Sequence, residues 1–234
     1  MSSKHFIRFR DLPLLYGRVP KVANSSIKAT LYRLLKQEPE QGMRTTSDAF
    51  WSKGTHGETS MVDNYAARMC RGTHFSFSFV RNPFDRLVSA YNNKILELEE
   101  VPGPMLAMGL SHGMGFSTFL ECIVGTMDVD LDVHLLPQSS ILCLDGQLIP
   151  NFIGRLETME SDWQQLEARL KQERLPALGN LPEKNRRRGV DHSDVSSYFE
   201  DSGLVQLVVE RYRDDLELFY HGVDLQQLSQ GHFG

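Results

Sequence analysis

The chain has 234 residues, 41% of them apolar and 24% charged, which suits a single α/β domain spanning 1–234 with a good core. Its net charge of −5 argues against a general nucleic-acid binder, which carries a basic surplus, but allows a small anion in a local basic pocket. Three cysteines (Cys70, Cys122, Cys143) make no C-x-x-C pair, and no apolar run is long enough for a signal peptide or membrane span, so the chain reads as cytoplasmic with reduced thiols.

Leu14-Leu15-Tyr16 predicts a first strand, and Ile27, Leu31, Leu34 and Leu35 share one face of a following helix, capped by Ser25 or Ser26. Between them lies VPKVANSS. A loop that opens a helix after a strand is a place for phosphate-like anions, because free N–H groups and the positive end of the helix dipole converge there. The P-loop spelling G-x-x-x-x-G-K-[ST] is absent: Gly17 comes too early, and Val22-Ala23-Asn24 replaces the glycines.

Residues 42–72, with Trp51 and His56, read as a long polar excursion with short helical pieces. HFSFSFV, ending at Val80, alternates aromatic and small residues and predicts a strand. Asn82 then makes an N-cap with Pro83 at the first helical position, and the helix is expected to run to about Glu100. Phe84, Leu87, Val88, Tyr91, Ile95 and Leu98 form its apolar stripe, expected to pack on the sheet. Asn82, Arg86, Ser89 and Asn93 lie opposite, a line that taken alone reads as solvated surface.

Farther on, residues 105–115 read as a loop and 116–124 as a helix capped by Ser117, while 128–138 is irregular and carries His134. Residues 141–144 and 152–154 are short strand candidates. Ser161-Asp162-Trp163-Gln164 has the capping-box pattern for a helix with Trp163, Leu166 and Leu170 as its core face. The run from Lys184 to Arg188 is the one dense basic stretch; Val205, Val208, Val209, Tyr212, Leu216 and Phe219 mark a last helix. The order strand, helix, strand, helix predicts parallel pairing with both loops at one sheet edge, where they could grip two ends of one polyanion.

RVPKVANSSIK resembles the 5′-phosphosulfate loop of sulfotransferases, and FVRNPFDRLVSAY their 3′-phosphate motif. HLLPQ, FIGRLETMESDW and YRDDLELFY are similar to three further segments of the carbohydrate sulfotransferases of the chondroitin/dermatan/HNK-1 type, related to the heparan sulfate 2-O type. The resemblance runs from Tyr16 to Tyr220. It implies a three-layer α/β fold, with a P-loop-like central parallel sheet flanked by helices. It also implies 3′-phosphoadenosine 5′-phosphosulfate as donor, no metal, and a hydroxyl of a carbohydrate or related acceptor; relatives in animals are Golgi-anchored.

On that resemblance Lys21 is the cation at the bridging oxygen, and Ala23, Asn24, Ser25 and Ser26 hold the 5′-phosphate with Lys28 adding charge. Arg81 and Ser89 take the 3′-phosphate. His134 is the first candidate for the base that deprotonates the acceptor, and His56 the second. The Lys184–Arg188 run could close over the 3′-phosphate or grip an anionic acceptor. The alternatives are a P-loop-type small-molecule kinase, which would need a glycine-rich loop and a strand-end Asp for Mg²⁺, and a non-catalytic nucleotide-binding relative.

Overall fold

The computed structural model describes residues 3–38, 42–182 and 195–231, so the Lys184–Arg188 run lies outside the described residues. These form two compact units, residues 3–80 with 141–182, and residues 81–140 with 195–231. The strands are β1 (Phe6–Phe9), β2 (Leu14–Gly17), β3 (Thr59–Val62), β4 (Phe75–Val80), β5 (Cys143–Leu144), β6 (Gln147–Leu148) and β7 (Phe152–Arg155). The helices begin with α1 (Asn24–Leu31), α2 (Asp48–Lys53), α3 (Asn64–Met69), α4 (Pro83–Tyr91), α5 (Gly103–Ala107) and α6 (Phe116–Val124). They continue with α7 (Gln138–Leu142), α8 (Met159–Gln172), α9 (Ser202–Arg211), α10 (Arg213–Phe219) and α11 (Leu225–Ser229).

The first unit is built on a five-stranded sheet in the order β3-β1-β2-β4-β7. β2, β4 and β7 are parallel, and β1 runs against both its neighbours. The fold is therefore mixed α/β, a mostly parallel central sheet flanked by helices, as the sequence predicts. Every residue of β2 and β4 is buried, the pattern of strands covered on both faces. Gly17 pairs with Ser78, whose hydroxyl donates to the Gly17 carbonyl at 2.6 Å. A side chain at Gly17 would put its Cβ 2.8 Å from Leu142 and 2.9 Å from Phe6, so only glycine ends this strand without displacing them. The carboxyl ends of β2, β4 and β7 share one sheet edge.

Several elements differ from the sequence reading. The excursion at 42–72 contains β3, a strand of the main sheet that its Thr-Ser-Met-Val composition hardly announces. Residues 141–144 are the end of α7 and the two-residue β5, which pairs with β6 in a separate two-stranded sheet. The cap of α6 is Gly115, not Ser117. Helix α8 begins at Met159, ahead of the capping-box serine. Asp162 there accepts from the Arg155 N–H at 2.7 Å and from Thr158 Oγ1 at 2.9 Å, tying the helix start to the end of β7. Its expected core face, Trp163, Leu166 and Leu170, is buried.

In the second unit Asn82 caps α4 through Phe84 N–H, with Pro83 in the first turn. The helix passes at Asn92–Glu97 into a π-helical turn rather than running straight to Glu100. Phe84 through Ile95 of the apolar stripe are buried, but Leu98 is exposed. Within this unit Phe84 packs edge-on against Phe199, and Tyr91 edge-on against Phe116 and Tyr198 and tilted against Phe119. The opposite line is not solvated surface: Asn82 and Arg86 are buried. The last predicted helix is two, broken at Tyr212.

Candidate active site

Two groups of side chains carry the candidate chemistry, one in each unit. In the first unit the chain leaves β2 and turns into α1 through residues 18–23. Lys21 and Ala23 both occupy the left-handed region, at φ 68° and 46°. For a residue with a Cβ this costs about 1–2 kcal/mol, a strain that is kept where the turn it enforces has a use. No side chain caps α1; its first bonds close on the Ala23 carbonyl, from Ser26 N–H at 2.9 Å and Ile27 N–H at 3.0 Å. The predicted serine caps are thus not used, and the helix opens without a side-chain capping hydrogen bond at its positive end, which favours an anion. Lys21, Ala23, Asn24 and Ser25 are half-buried there and Ser26 is buried. Asn24 is steadied by Tyr16, whose hydroxyl donates to Oδ1 at 3.1 Å.

Lys28, one turn into α1, is 1% exposed, and its ammonium donates to Asp48 Oδ1 at 2.8 Å and to the Thr46 carbonyl at 3.0 Å. Arg18 reaches the other oxygen of the same carboxylate at 2.9 Å. Burial pulls the pKa of both cations down, and Asp48 opposes it. His5 joins this cluster: burial first, then the Arg18 charge, push its pKa down to about 4. His56 stands in an exposed turn after α2 at φ 48°, with Nε2 3.1 Å from the Glu38 carbonyl.

In the second unit, Arg81 is fixed by its backbone. The Gln138 side chain accepts from Arg81 N–H at 2.9 Å and donates to the Arg81 carbonyl at 2.8 Å, like a neighbouring strand made of one amide. The Arg81 guanidinium lies 3.6 Å from Asp85, four residues on, and Ser89 is half-buried a further turn along the helix. Burial pushes the Asp85 carboxyl up, against Arg81 and Asn82. Gln138 is itself held by the buried Asp215, which accepts from Gln138 N–H at 2.8 Å and Ser139 N–H at 2.7 Å and so caps α7.

His134 lies on the segment before α7. Its Nδ1 is 2.6 Å from Asp132 Oδ1, and the same oxygen accepts the His134 backbone N–H at 2.8 Å. The carbonyls around it are taken up one by one. Arg86 donates to Leu136 O at 2.8 Å and to Val133 O at 3.3 Å, and Tyr212 to Leu135 O at 2.6 Å. Buried carbonyls need such donors, and meeting them from α4 and from Tyr212 fixes the segment's path.

Sequence reasoning named Arg81, Ser89 and His134, which the second unit holds, and Lys21, Ala23, Asn24, Ser25, Ser26, Lys28 and His56, which the first holds. It gave no role to Asp132, Gln138, Arg86 or Asp215. The signal for three of them was present: Gln138 closes HLLPQ, Arg86 lies in the RNPFDR stretch and Asp215 in YRDD.

The chain matches the model of the "Sulfotransferase family" over residues 4–221. It is similar to carbohydrate sulfotransferase 14 of Mus musculus, 26% identical over 178 residues that cover 70% of this chain and 46% of that protein. It thus spans about half the length of the curated relative it matches. No solved structure matches it.

Proposed function

We propose that this chain, which belongs to the sulfotransferase family, moves a sulfuryl group from 3′-phosphoadenosine 5′-phosphosulfate to a hydroxyl of a carbohydrate or related acceptor. The observation that carries the reading is the turn into α1. Two non-glycine residues are held left-handed there, and the helix end carries no side-chain cap. Such a turn aims backbone N–H groups at one point, and its lysine supplies a full charge beside them.

In this reading the N–H groups and hydroxyls from Ala23 to Ser26 hold the 5′-phosphate. The donor brings an activated sulfuryl group, whose in-line displacement builds negative charge on the bridging oxygen. Lys21 stabilises that charge, a preorganised contact that strengthens toward the transition state. Lys28, neutralised in part by Asp48, adds positive potential one turn along. Arg81 supplies the planar fork for the 3′-phosphate and Ser89 a hydroxyl donor. His134 takes the acceptor proton. It is preferred to His56 because Asp132 fixes its ring, whereas His56 stands in an exposed turn.

Calorimetry with the 3′,5′-bisphosphate product, with and without Mg²⁺, followed by a labelled-donor assay over sugar, lipid and small-alcohol acceptors, tests the proposal. Metal-independent product binding and label transferred to a sugar hydroxyl are the expected results. Mg-ATP binding in place of the bisphosphate, or bisphosphate binding with no transfer to any acceptor class, would sink it.

A further inference from the structure

The contact between Asp132 and His134 goes beyond assigning a base. We infer that Asp132 is a positioning residue that fixes the tautomer of His134 and raises the basicity of its far nitrogen. This rests on the reading of His134 as the base.

One oxygen, Asp132 Oδ1, meets both the His134 backbone N–H at 2.8 Å and ring Nδ1 at 2.6 Å. A carboxylate acceptor at that distance requires the hydrogen on Nδ1. The neutral ring then carries its lone pair on Nε2, the nitrogen that would accept a proton. Because the backbone bond sets where the carboxylate sits, the ring bond is not free to wander with χ angles. Asp132 is 7% exposed while the His134 side chain is 28% exposed, so the carboxylate lies on the protein side of the pair and the imidazole toward solvent. Such a partner stabilises the imidazolium that forms on proton uptake, as in any carboxylate–imidazole pair.

Other charged and titratable groups act around the pair. Lys94, from the π-helical turn, acts on Asp132. Arg86 binds the carbonyls on either side of His134, and Tyr212 the carbonyl after it. Burial works to raise the Asp132 carboxyl; the hydrogen bonds and charge of His134, with Lys94, outweigh it and hold the group below its usual range. Asp132 therefore stays ionised while His134 titrates.

The test is Asp132→Asn in the full chain, read in two ways. The amide can still accept the His134 backbone N–H but cannot stabilise the imidazolium. By NMR, the imidazole pKa of His134 should fall by about one unit or more. In the transfer assay the acid limb of kcat should move down by the same amount and its plateau should drop about tenfold, with donor KM and bisphosphate affinity unchanged. An unmoved His134 titration in the folded variant overturns the inference. A moved titration with an unmoved acid limb upholds the pairing but shows that His134 is not the base, so the two readings fail separately. His134→Gln gives an independent check: the Asp132 carboxyl, followed by carbon NMR, should titrate higher than in the parent, and no change would count against the pair.

Discussion

The turn after β2 and the segment from Asp132 to Ser139 reach a fixed shape by opposite means. The turn is held by its own backbone, strained at Lys21 and Ala23, and by an ionic cluster of Arg18, Lys28 and Asp48. The segment carries hydrogen bonds instead. Its carbonyls and N–H groups are met by Arg86, Tyr212 and Asp215, which lie 47 to 77 residues away in the chain. Strain of that kind is local and short-range, so small changes in the turn act directly on whatever it holds. The hydrogen-bonded segment distributes its shape over several donors, and no single one of them sets it alone. A loop that must present charge to a transferring group gains from the first design, and one that must orient an imidazole gains from the second.

If that contrast holds, Lys21→Ala is the most damaging change. It should lower turnover by about 10²–10³-fold at saturating donor while product affinity changes little, because its contact is strongest as charge develops. Wild-type turnover would remove Lys21 from the chemistry.

The ionic cluster beside the turn should also be acid-labile. Folded His5 stays neutral down to about pH 4, whereas unfolded it takes a proton near 6.5. Between these values the unfolded chain binds more protons, so stability rises with pH. The contribution is complete above 6.5 and is lost as pH falls toward 4, about 3 kcal/mol in all. Denaturant midpoints measured across this window should show that slope for the parent and a flatter one for His5→Phe.

In the second unit the effects should fall on binding. Arg81→Ala is expected to weaken the bisphosphate product by about 2–3 kcal/mol and Ser89→Ala by about 1 kcal/mol, both readable by calorimetry. Equal affinities in folded variants would mean that this helix does not hold the 3′-phosphate.

Asp48→Ala sharpens the comparison from the stability side. It leaves Lys28 and Arg18 buried without their carboxylate, and should cost about 2 kcal/mol in chemical denaturation. That is below the value for a wholly buried pair because the Asp48 side chain is 44% exposed. A loss of turnover larger than this loss of stability implies that the cluster also sets the shape of the turn.

Among the described residues no helix is long and apolar enough to cross a membrane. What the sequence alone determined lies where information is local. Alternation in FSFSFV specified β4 and Asn82-Pro83 specified the start of α4, because each depends on residues within one or two turns of one another. The motif residues of the turn after β2 were legible for the same reason. The left-handed backbone of Lys21 and Ala23 was not, since neither residue type favours it. It took the tertiary structure to turn Arg86 from a surface residue into a buried donor, to place β3 in the sheet, and to put Asp132 against His134. Each of these joins groups whose partners the sequence does not name: burial in a finished core turned a polar line into a set of obligatory hydrogen bonds, and only the packed chain decides which groups are buried.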